Sequence, residues 1–534
     1  MKVRMMRGAI TALLVGALAG TACSAPGGNG DEGGAAGSGT GHSLVVGIAT
    51  EPDTLSPLLG YGKDGNSKIF DGLLSRDVNL DLVPALATDL PEVSGDGLTW
   101  TYTLREDVTF SDGSPFTASD VVFTYETILD PGTNNPARDE LAALDRVEAV
   151  DDHTVVFTLS HPYAPFAERT VLPIASEEAF GDQDVNTGPY NTAPVGTGPY
   201  TVSSWSRGER IVLEANPDHW GGAPAVERLT MAIVPDDDAR ATRLRAGELD
   251  AAVLPPRLAA GFADEPGRVV IHAESADFRA VTLPTGHPVT GDIAIRRALD
   301  IAVDREAIVE AVLDGAGAVA HGPVPTASPW FAEGTERPRD PGEAARILDE
   351  AGWEIGGDGI RERDGERAAF TLYYPSGDRL RQEHALAYVS DAREIGIDIT
   401  AESASWEVIA PAMDDHAVLN GGGNPTDPDF DLYGLLHSEL AGDGWNNMAR
   451  YANPAVDEQL EIGRRTVVEE ERREAYEAVQ RELRDNPGYT FLTHIDHVYV
   501  MNDEWENVTT QLEPHDHGLG AGPWWNIEDW QPRS

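Results

Sequence analysis

Histidines are the side chains whose spacing comes nearest to suggesting chemistry. His515 and His517 flank one aspartate between Pro514 and Gly518, so this segment reads as a loop that can turn both rings to one ion. Imidazole suits Ni(II) and Zn(II). His494 and His497 fall on a predicted strand, where residues three apart face opposite sides, and they make poor joint ligands. Catalytic patterns are missing: there is no His-Glu-x-x-His helix, Gly62-Lys63 runs into Asp64 rather than a hydroxyl residue, and no Gly-x-Ser-x-Gly turn occurs. The single cysteine, Cys23, lies ahead of the body, and carboxylate pairs are too abundant to single out. These residues predict ligand capture without turnover and no cofactor; a metal would be cargo.

The frame that holds them must have more than one core. The chain has 534 residues, and single cores stop growing at roughly 250–300. Its 90 acidic residues against 39 basic ones give a net charge of −51. Such a surface repels nucleic-acid phosphates and offers no basic patch to anionic lipid. Lys2, Arg4 and Arg7 precede an apolar run from Ala9 to Ala19, which is short for a bilayer span and is flanked like an export signal. The segment resembles a bacterial lipoprotein signal, in which Cys23 becomes the acylated first residue; Gly20 stands where an aliphatic residue is usual. Residues 1–22 therefore read as a signal peptide. Residues 23–42, rich in Gly, Ala and Ser, read as a tether holding the body on the extracytoplasmic face of the cell membrane.

Along the body, short alternating runs such as Leu98 to Leu104 and Thr154 to Leu159 predict strands. Thr117 three residues before Asp120 predicts a capped helix start, with Val121, Val122, Tyr125, Ile128 and Leu129 on one face. Helices are predicted over 293–313, 380–395 and 456–483, and strands over 249–254, 370–374 and 491–501. Strands and helices interleave throughout, which indicates an α/β architecture.

Several segments resemble one family: Leu98 to Phe123 with its Asp112-Gly113 turn, Val195 to Tyr200, Asn216 to Trp220, Arg296 to Arg305, and Arg450 to Asp457. In the same order they occur in the extracellular solute-binding family 5, the peptide- and nickel-binding proteins of ABC importers. The resemblance implies a two-lobed, periplasmic-binding-protein-like fold of type II, with an extra inserted domain and a ligand cleft between the lobes. By that analogy lobe I takes residues 43–74, 195–287 and 501–534, the inserted domain 75–194, and lobe II 288–500. The implied partners are ABC permease and ATPase subunits, with the binding protein itself a monomer.

The resemblance also bears on the ligand. In peptide-binding members an aspartate three residues before the Asp-Pro element pairs with the peptide ammonium. Here Asp427-Pro428 places Asn424 at that position, and an amide cannot replace the carboxylate's charge. The spacing of Pro425 and Pro428 is closer to nickel-binding members, with Thr426 where those have an aromatic; His437 lies downstream, as a histidine does in them. The expected metal contacts are therefore His515, His517 and His437. The expected cleft residues are Asn424, Asp427, Trp445, Asn446 and Tyr61. Two ligands stay open: a nickel chelate such as nickel–histidine, or a short peptide.

Overall fold

The computed structural model describes residues 42–515 and 521–533. The signal segment, the tether up to residue 41 with Cys23, and His517 lie outside the described residues. Among the described residues no helix is long and apolar enough to cross a membrane.

Two sheets organise the body. The first has seven strands in the order Arg268–Ala273, His497–Asn502, Ala251–Leu254, His42–Ile48, Val226–Ile233, Arg210–Ala215, Tyr200–Ser206. Strand His42–Ile48 runs parallel to both its neighbours, and the outer pairings are antiparallel. Leu44, Val46, Leu229 and Met231 form its core with Tyr499, Trp524 and Trp530. The second sheet has six strands in the order Gly317–Val319, Tyr489–Ile495, Phe278–Thr282, Ala417–Gly422, Ala369–Pro375, Asp398–Ala404. These are the two lobes. A four-stranded antiparallel sheet, from Glu92–Val93 to Thr154–Leu159, lies within residues 75–194 and carries helix α1 (Ala118–Leu129). Its core includes Trp100 and Tyr102. The helix starts as its sequence predicts, with a capping box between Thr117 and Asp120.

The second lobe adds helices α2 (Arg379–Glu394), α3 (Asp429–Leu436), α4 (Pro454–Arg465) and α5 (Glu469–Asp485). The helical stretch expected over 456–483 is thus two helices, α4 and α5, and that over 293–313 is also two, Ile293–Ala302 and Arg305–Leu313. In the latter, Asp304 breaks the run by capping the second helix through Ala307 N–H.

The lobe boundaries differ from those expected at 288 and 500. Strand Phe278–Thr282 pairs on both sides inside the second sheet, and His497–Asn502 pairs on both sides inside the first. The chain therefore crosses between lobes at 274–277 and at 495–497. The expected single strand 491–501 is two strands, handed from one sheet to the other at Asp496. Both flanks are buried on both faces, so alternation carries no mark of the exchange.

Candidate functional site

Three cavities, of about 420, 570 and 390 Å³, share His515 in their walls. The largest is set against the first sheet and includes Tyr61, Tyr499 and Trp524. The second in size brings Arg76 and Glu168 opposite Asn424 and Thr426 of the second lobe. The third is cut into the second lobe, among Arg381, Trp406, Asn420, Asp431 and Trp445. His515 thus stands where surfaces from both lobes meet.

Its ring is held from behind. The main-chain N–H of His515 donates to Gly423 O at 2.9 Å, and Nδ1 lies 2.5 Å from Asp277 Oδ1. Burial raises the cost of charge on Asp277, yet Arg279 and the imidazoles of His497 and His515 hold its carboxyl well below the usual range. When the ring is neutral, an ionised Asp277 that accepts the Nδ1 proton leaves the lone pair on Nε2. Among the described residues Nε2 makes no hydrogen bond. The side chain keeps 32% exposure, enough for a ligand to reach it. A carboxylate behind an imidazole is the arrangement that fixes tautomer and ring orientation in metal sites.

The third cavity carries opposed charges. Arg279 and Arg381 both lie beneath Gly421, where a Cβ would sit 2.6 Å from Arg279 Nη1 and 2.9 Å from Arg381 Nη2, so a larger residue would displace these guanidinium ends. The Nε of each arginine is buried without a hydrogen-bond partner among the described residues. Nearby, Asp431 Oδ2 accepts the Asn424 N–H at 2.7 Å; burial pushes its carboxyl up to about 7 against that one bond. Asn420 Oδ1 is buried and unpartnered among the described residues. Of the two arginines only Arg381, which is paired with Asp378, lines this cavity, and the half-buried Asp431 carboxylate lines it too, so one positive and one negative group face it. Among the described residues no group of three or more His, Cys, Asp and Glu side chains could hold a metal ion.

A two-lobed α/β body with a polar cleft is the shape of a protein that closes on a solute. Residues 81–443 match the model of the middle region of the bacterial extracellular solute-binding proteins, family 5. The chain belongs to that family. As a family 5 protein it is the solute-binding subunit of an ABC importer, acting outside the cytoplasm. It is 61% identical over 504 residues to Protein XP55 of Streptomyces lividans, covering 94% of this chain and 92% of that one. Among solved structures, NikZ from Campylobacter jejuni in complex with Ni(L-His) is similar at a TM-score of 0.80 and 29% identity, over 91% of this chain and 99% of NikZ. The oligopeptide-binding protein AppA from Bacillus subtilis, in complex with a nonapeptide, is similar at 0.75 and 26% identity, over 92% and 99%.

Within this family 5 chain the residues expected at the site divide. His515, Asn424, Trp445, Asn446 and Tyr61 all line one or another cavity. Trp445 is 54% exposed and meets Trp406 edge-on, with ring centroids 5.0 Å apart. Asn424 turns its side-chain oxygen to its own loop, where Thr426 N and Oγ1 donate to it at 2.9 and 2.6 Å. Asp427 does not line the cavities. It is buried, takes both bonds from Arg472 Nη2 at 2.8 and 2.7 Å, and accepts the Asp429 N–H at the start of α3. Its charge is matched by Arg472. His437 is likewise not at the cavities. Its ring is buried, stacks on Tyr433 at 4.3 Å and accepts the Glu439 N–H through Nδ1, capping the short turn Ser438–Leu440 that follows α3. His494 is buried with its pKa lowered to about 4 by desolvation, and its Nδ1 meets Ala276 O.

Asp277, Arg381, Trp406 and Asp431 were not legible as site residues. Arg381 reads from sequence as part of a helix start, since Asp378 caps α2 through the Arg381 N–H. Asp431 is one of several acids after Asp427.

Proposed function

We propose that this family 5 protein captures nickel as a chelate with free amino acid, of the nickel–histidine kind, and delivers it to the permease and ATPase of its importer. It performs no reaction on the chelate. Acyl chains on Cys23 hold the body at the extracytoplasmic face of the membrane, where it works as a monomer. The observation that carries the ligand reading is His515, anchored through Nδ1 by Asp277 and lining all three cavities. The described residues lack a full metal cage, which fits a metal arriving already chelated and completed by one imidazole. Arg381 would take the chelator's carboxylate. The likeness to NikZ with Ni(L-His) supports the same reading.

A short peptide is the second reading, and Asp431 is the observation that favours it. A carboxyl held near 7 by burial binds a proton that an incoming ammonium must displace. Below that pH the affinity for an ammonium should climb by up to about tenfold per pH unit. The same raised value means that Asp431's contribution to stability is present at low pH and is lost as pH rises through about 7; an ammonium partner restores it.

Calorimetric titrations with nickel plus L-histidine, and with trialanine, from pH 5 to 8 separate the two. The first reading expects saturable binding of nickel–histidine, abolished by EDTA, and no heat from trialanine. Trialanine binding that strengthens from pH 5 to 7, with no response to nickel–histidine, would reverse the assignment.

A further inference from the structure

The site's imidazole is wired to the place where the chain crosses between lobes. Three passages of chain run side by side there: 274–277, 495–497 and 513–515. Ala276 N–H donates to Glu513 O at 2.8 Å, Glu513 N–H to Glu274 O at 2.9 Å, and Ile495 N–H to Asp277 O at 2.9 Å. Ser275 Oγ donates to Ile495 O at 2.5 Å. Buried side chains continue the seam. Tyr499 Oη donates to Glu513 Oε2 at 2.8 Å, His497 Nδ1 lies 2.6 Å from the same oxygen, and His497 Nε2 lies 3.4 Å from Asp277 Oδ2. Asp277 Oδ1 then meets His515 Nδ1 and also accepts from Arg279. Glu513, His497 and Asp277 are each at most 5% exposed, so these groups face one another away from bulk solvent. Neither Asp277 nor His497 lines a cavity.

We propose that Asp277 and His497 are positioning residues for ligand capture: together they fix the tautomer and direction of His515 and tie that ring to the crossover strands. The proposal rests on His515 being the ligand-contacting imidazole. Asp277 does the orienting directly, by accepting the Nδ1 proton. His497 acts one step further back, by holding Asp277 Oδ2 so that Oδ1 stays aimed at His515. Outer partners of this sort change metal affinity by about 10–100-fold although they never touch the metal.

Two readings on the same proteins test it. One is the dissociation constant for nickel chloride with L-histidine. The other is the His515 ring's tautomer in nickel-free protein at pH 8, from ¹⁵N spectra of histidine-labelled samples assigned with His515→Gln. Asp277→Asn should weaken nickel–histidine about 10–100-fold and move the ring from the Nδ1-protonated form toward a mixture. His497→Gln should shift both in the same direction by less, and it decides the matter if Asp277→Asn does not fold. An unchanged tautomer in the folded variants overturns the inference whether or not nickel binds. A shifted tautomer in a protein whose wild type ignores nickel–histidine leaves the relay standing and sinks only the ligand assignment.

Discussion

Replacing His515 by alanine should weaken nickel–histidine capture by at least about 100-fold while leaving the fold in place. The ring's one described hydrogen bond is to Asp277, and that carboxylate keeps Arg279 and His497 when the imidazole is gone. The expected loss exceeds the 10- to 100-fold typical of an outer partner because the metal itself loses a donor atom. Calorimetry gives the affinity, and the far-ultraviolet circular dichroism melt checks the fold. An affinity within threefold of wild type would remove His515 from the site and with it the main support for a metal cargo.

Arg472→Ala should cost about 3–5 kcal/mol of stability, the range for stripping the partner from a buried charge. Asp427 is 4% exposed and its only described cation within bonding reach is Arg472. Two residues on, Asp429 is 2% exposed, and burial raises its carboxyl even though Arg464 pairs with it at 2.9 Å. Tyr476 and Tyr163 hydroxyls donate to it at 3.2 and 3.3 Å, the latter reaching over from the 75–194 segment. Two buried carboxylates so close tolerate each other because each has its own arginine. Removing one guanidinium leaves an uncompensated charge beside a second. Arg472 also donates from Nε to Gly463 O at 2.8 Å, joining the end of α4 to α5. Denaturant unfolding at pH 7 reads the loss directly; a change below about 1 kcal/mol would mean the pair is solvated like a surface bridge.

The strand and helix alternation, the capping box at Thr117 and the need for two cores were legible because each is a local pattern: a period, a spacing or a length. What failed was non-local. The exchange of sheets at Asp496 is marked only by that half-buried carboxylate, between flanks buried on both faces where alternation is lost. Asp427 is expected in the cleft from the family resemblance of its Asp-Pro element, whereas the arginine that neutralises it lies 45 residues away. A turn-flanked histidine such as His515 is visible in sequence, and it lines the cavities. The aspartate that makes its ring useful is 238 residues distant, on a strand crossover that sequence placed inside lobe I. Arg381 and Asp431 were hidden for the plainer reason that their neighbours carry the same charges for capping and solubility.

The nickel K-edge X-ray absorption spectrum of the protein loaded with nickel and L-histidine tests the central claim most directly. Completion of the chelate by His515 predicts one more imidazole nitrogen around nickel than in the free nickel–histidine complex formed at one equivalent, and its disappearance with His515→Ala. A spectrum identical to that of the free complex, or a protein that retains no nickel after desalting, would contradict it.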